Sequence, residues 1–133
     1  MKDFYEGVRA RLLSDTAVGA AVGERVFWNE RPQNSAFPAI VLQIISDAIP
    51  AHLGGYEETR STLVQVDVYA PLLTTALDVS QSVVNALKLP AFAGGKSFGP
   101  AFVDGRRDSA EATDTTTLHR VSTDLNIWHS GVN

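Results

Sequence analysis

The stretch TLHRVSTDLNIWH, Thr117 to His129, is the longest run of strict alternation in the chain. Val121, Thr123, Leu125 and Ile127 share one face, and Arg120, Ser122, Asp124, Asn126 and Trp128 share the other, because successive side chains of a strand point to opposite sides. Such a strand puts one face on a core and leaves the other polar, which is the pattern of an antiparallel sheet covered on one side. TLVQVDVYA, Thr62 to Ala70, repeats it, with Val64, Val66 and Val68 opposed to Gln65, Asp67 and Tyr69. Between the two the period changes. From Thr74 onward, Ala76, Val79, Ser80, Val83, Val84 and Leu87 fall on one side of a helix, with Asp78, Gln81, Asn85 and Lys88 opposite. Pro90 closes it. One-sided strands around an amphipathic helix call for a two-layer α+β fold.

The remaining segments extend that plan. Asp3 is placed to cap a helix whose Phe4, Tyr5, Val8 and Leu12 form one stripe, with Lys2, Glu6 and Arg9 turned away. Ser14 and Asp15 before Ala17 to Val22, with Gly23 after, predict a second short helix with its own cap and stop. The loop NERPQNSAFP, with two prolines, delivers the chain in extended form to AIVLQIIS, a nearly continuous β-branched run expected to be buried on much of both faces. The segment 47–61 has no clean period and contains Pro50 and Gly54-Gly55, so it reads as a long loop or hairpin arm, a kind of segment that is often functional. AFVDGRRDS, from Ala101 to Ser109, is a short strand candidate, followed by a polar loop over 109–116. The expected order is α-α-β-β-α-β-β: an antiparallel sheet of about four strands with helices packed on one face. A chain of 133 residues has room for one such domain, spanning 1–133.

The chemistry-bearing residues are arranged against catalysis. AGGKSFGP contains Gly-Gly-Lys-Ser, but a phosphate-binding loop ending in Gly95-Lys96-Ser97 requires glycine where Pro90 stands, and a helix where Phe98-Gly99-Pro100 follows. The motif reads as a turn. On the long strand, Ser122 and Asp124 point one way and His119 and His129 the other, so they form no triad. The two histidines lie roughly 33 Å apart along a strand rising ~3.3 Å per residue, too far to share a metal ion. His52 in the arm has no ligand spacing, and Glu57-Glu58 and Asp104/Asp108 read as solvated faces rather than acid and base pairs. The chain has no cysteine, which removes disulfides, thiolate metal sites and thiol nucleophiles. The net charge of -4 disfavours non-specific nucleic-acid binding, and the one tight basic pair, Arg106-Arg107, reads as a solvated strand end. No run reaches the ~18 apolar residues of a membrane span, and no signal-peptide stretch is expected at MKDFYEGVRARLL. No cofactor or metal is expected.

The successive blocks DTAVGAAVGERVFWNERPQNSAFPAIVLQIIS, TLVQVDVYAPLLTTALDVSQSVVNAL and RRDSAEATDTTTLHRVSTDLNIWH resemble those of the tail-completion, or tail-terminator, family of long-tailed phages and phage-like gene transfer agents. The resemblance runs from about Leu12 to His129. It implies a structural virion protein with no catalytic motif, made in the bacterial cytoplasm. Its copies would form a ring, typically of six, that caps the tail tube and joins the tail to the head-proximal connector at the head-tail junction. Its implied partners are copies of itself, the tail tube protein and the connector or stopper protein, with DNA passing through the ring without specific binding. Trp28, Tyr56 and Trp128 are the candidate interface residues, since interfaces favour Trp and Tyr. Two other functions fit the same pattern: a neck adaptor or stopper, and a small ligand-binding or enzymatic α+β module.

Overall fold

The computed structural model describes residues 2–47, 51–52, 55–56, 59–112 and 115–130. Helix α1 (Lys2–Ser14) turns at once into α2 (Thr16–Val22). The break is chemical: Asp15 Oδ2 accepts from Val18 N at 3.0 Å as an N-cap, and Gly23, at φ 60°, ends the helix. Asp3 lies inside the first turn of α1 rather than at its cap, where its charge still suits the positive end of the helix. The stripe expected on α1 is buried through Phe4, Val8 and Leu12.

Six strands form the main sheet: β1 (Val26–Trp28), β2 (Ala39–Ser46), β5 (Thr59–Ala70), β6 (Ala91–Ala93), β7 (Lys96–Ala112) and β8 (Thr117–Ser130), in the spatial order β1-β2-β5-β8-β7-β6. Among the described residues, only β1 and β2 run parallel. β3 (Ala51–His52) and β4 (Gly55–Tyr56) form a separate two-stranded ribbon. Helix α3 (Leu73–Leu87) joins β5 to β6.

The α+β class, the α3 stripe and the parity of both alternating strands stand as expected. Ala76, Val79, Ser80, Val83 and Leu87 of α3 are buried against Val64, Val66, Val68, Val121, Leu125 and Ile127 in one core, which Phe4, Leu12, Val18 and Val22 complete from the first two helices.

The four-strand sheet is corrected to six. β1 and β6 have three residues each and no period to read; β1 exists through its parallel register with β2, Val26 opposite Ile40, and β6 through a hairpin with β7. β7 begins earlier and ends later than expected, taking in the first half of the supposed polar loop. Its alternation is hidden by two register shifts, between Phe98 and Ala101 and between Val103 and Gly105. Across a bulge the faces exchange. β5 likewise starts at Thr59, inside the segment assigned to the arm.

The hairpin between β6 and β7 is the Gly-Gly-Lys-Ser turn. Gly94 and Gly95, at φ 60° and 80°, supply the left-handed pair that a two-residue hairpin loop needs. The turn packs directly on α1: a Cβ on Gly94 would meet Gly7 Cα and N at 2.7 Å, and one on Gly7 would meet Phe98 and Ala93 O at 2.6 to 2.7 Å. β2 is buried on both faces only in its first half, Ala39 to Leu42. At that end the preceding loop folds over the sheet, with the Arg31 guanidinium 4.7 Å from the Phe37 ring centre and 5.5 Å from that of Tyr69.

Candidate functional site

The sheet face away from the helices holds the surface of interest. Its centre is a polar network. Asp67, buried on β5, accepts from Ser122 Oγ at 2.5 Å and from Gln65 Nε2 at 3.0 Å to each oxygen. Arg107 on β7 reaches across β8, donating to Asp124 Oδ2 at 3.0 Å and Gln65 Oε1 at 2.8 Å. Toward the Arg31 end, a hydrogen bond with Tyr69 holds the Arg120 guanidinium above its ordinary pKa. These contacts bind three strands to one another, with Asp124 Oδ1 the network oxygen that has no hydrogen-bond partner among the described residues. Arg106-Arg107 is therefore corrected: the pair lies in the interior of β7, and Arg106 Nε also bonds Thr123 Oγ1 at 3.3 Å.

At the opposite end the same face turns apolar. Leu63 and Phe102 lie either side of Asn126 in one cross-strand row, and Trp128 is the next outward residue on β8. Phe102 is 56% exposed, Trp128 37%, and Ile45, at the irregularity in β2, 48%.

The three residues expected at an interface separate. Trp128 is on this exposed row. Trp28 belongs to the core margin: its indole donates to Tyr5 O at 3.0 Å and its ring meets Tyr5 edge-on at 4.5 Å. The Tyr56 backbone lies in β4, and its side chain is outside the described residues, as are Glu57 and Glu58.

Beneath the root of the 47–61 segment lies a polar cluster that sequence periodicity does not reveal. Arg60, Thr62, Lys96 and His129 are all buried. Asp47 accepts from Thr62 Oγ1 at 2.9 Å and stands 3.7 Å from Arg60 Nη2. Thr62 Oγ1 also lies 2.7 Å from His129 Nε2. A hydroxyl has one proton, and it is donated to Asp47, so His129 donates to Thr62 from Nε2. Burial, and then the charges of Lys96 and Arg60, push the His129 pKa down to about 4. Its ring also packs on Phe4 at 4.4 Å. Burial and Arg60 lower the Lys96 pKa as well. This is no phosphate cradle, because Lys96 points into the protein.

The catalytic arrangements rejected from parity are absent among the described residues: Ser122 bonds Asp67 on the outer face, while His129 lies on the core side. No cluster of three or more His, Cys, Asp or Glu side chains among the described residues could hold a metal ion. Among the described residues, no helix is long and apolar enough to cross a membrane.

Residues 6–130 match the family model described as Tail completion protein gp17. No curated protein matches the sequence. Among solved structures, a chain of "Virion of native gene transfer agent (GTA) particle" is 18% identical, with a TM-score of 0.65 over 94% of this chain and 92% of its own. A second solved chain is 16% identical, with a TM-score of 0.57 over 95% of this chain and 94% of its own. At these identities the likeness is one of fold.

Proposed function

We propose, from the premise that the chain belongs to the tail completion protein gp17 family, that it is a non-enzymatic structural protein acting as the tail terminator of a phage or phage-like particle. In this reading its copies close into a ring, six-membered as the family resemblance implies, that caps the tail tube and joins it to the head-proximal connector at the head-tail junction. The observation that carries it is the family match over nearly the whole chain, on a fold shared with a chain from a gene transfer agent virion. The site geometry supports it in two ways. Asp67, Arg107 and Asp124 at the centre of the outer sheet face are engaged in contacts between strands, and beyond them the face offers an exposed apolar row with Trp128. A ring protomer needs two different patches that meet between neighbours, and DNA would pass an acidic protomer of net charge -4 without specific binding.

The test is tail length by electron microscopy in particles made without this gene. Over-long, variable, headless tails are expected. Tails of normal length would refute termination and move the role to a neck adaptor or stopper.

A further inference from the structure

The main sheet has two edges, treated differently. On β1, Arg9 occupies the Val26 carbonyl, its Nε donating at 2.8 Å, and its Nη2 donates to Glu24 O just before the strand at 3.2 Å. On the other side, β6 pairs with β7 only from Lys96 to Phe98. Ala101 N donates to Lys88 O at 3.3 Å, and from Phe102 to Ala112 β7 has a strand on one side alone among the described residues. From Gly105 to Ala112 its register with β8 is unbroken, so this stretch is a regular row of outward backbone donors and acceptors. Long free edges of this kind are templates for pairing with another chain. Phe102 and Val103, 56% and 48% exposed, add apolar contact where the free edge begins.

The same chain carries a ribbon without a sheet. β3 and β4 pair with each other, Ala51 opposite Tyr56 and His52 opposite Gly55, and with no other strand among the described residues. A two-stranded ribbon this short is not stable alone in water and needs a third strand or a packing surface. At its root, Asp47 is held by Thr62 and Arg60, so the point from which it projects is defined.

We infer that the β3–β4 hairpin of one copy adds to the free β7 edge of a second copy. Its own β7 edge is closed at the near end, since Arg60 lies opposite His129 and His129 opposite Phe98, where β6 already pairs. The contact joins two different patches, so it is head-to-tail and able to close a ring. The inference rests on the ring reading above and specifies its interface.

The chain lacks cysteine, so disulfide trapping is unambiguous. Copies carrying Tyr56→Cys are mixed with copies carrying Phe102→Cys and oxidised; Ser109→Cys replaces Phe102→Cys should that variant fail to fold. The mixed dimer should exceed, by about tenfold or more, that of a control pairing Tyr56→Cys with Asp78→Cys on the exposed side of α3, because docking raises effective concentration. A mixed yield equal to the control overturns the inference, and so does equal linking in Phe102→Cys copies alone, which would mean edge-to-edge pairing. Sedimentation of the unmodified protein separates the two levels. A closed oligomer without this link keeps the ring and discards the hairpin contact, whereas normal tails in the absence of the gene discard the ring reading itself.

Discussion

His129 makes the stability of this fold depend on pH in a window where few other groups titrate. The side chain is 1% exposed and held neutral, with a folded pKa of about 4 against 6.5 for a free imidazole. Between those values the unfolded chain binds a proton that the folded chain refuses, so stability rises with pH there. The contribution is complete above pH 6.5 and is lost as pH falls from 6.5 toward 4. At about 1.4 kcal/mol per pH unit, the loss approaches about 3 kcal/mol. That is a large share of a stability of about 5–15 kcal/mol. Urea unfolding of the wild type and a His129→Gln variant at a series of pH values isolates the effect, since the variant cannot titrate there. The wild type should lose about 2–3 kcal/mol more than the variant between pH 7 and pH 4.5. An NMR titration of the imidazole gives the folded pKa directly. A midpoint near 6.5, or parallel pH profiles for the two proteins, would refute the buried neutral assignment.

Two further perturbations test the packing and the outer face. Gly94→Ala places a Cβ at φ 60° and 2.7 Å from the Gly7 backbone, so it should cost about 2 kcal/mol or more and lower Tm, measured by thermal unfolding. A neutral result would mean that α1 and the β6–β7 turn are not in contact. Ser122→Ala removes the 2.5 Å hydrogen bond to buried Asp67 and should cost about 1.5–3 kcal/mol in denaturant unfolding, and a change under 0.5 kcal/mol would show the network to be dispensable.

Where the sequence carried a period, it was a reliable guide to structure. The buried stripe of α3 and the two faces of β5 and β8 follow from spacings of 3.6 and 2, and the Asp15 cap and Gly23 stop follow from local chemistry that needs no distant partner. The failed phosphate loop was likewise legible, because Pro90 and Phe98-Gly99-Pro100 forbid it locally. Trp128 could be placed on the outer face by parity alone. Nothing local to Trp28 says that its indole reaches Tyr5 O on α1 and turns inward.

What the tertiary structure decided concerns contacts between segments distant in sequence. β1 and β6 are too short to have a period and exist only because β2 and β7 pair with them. β7 conceals its alternation behind two bulges, so its length, its free edge and the exposure of Phe102 become visible only beside β8. Arg60, Lys96 and His129 read as ordinary polar residues, and it is the convergence of β5, β7 and β8 that buries them together. Periodicity records which side of an element meets the core. Strand order, sheet edges and buried charge depend on which elements become neighbours, and that is settled by the summed packing of the whole chain.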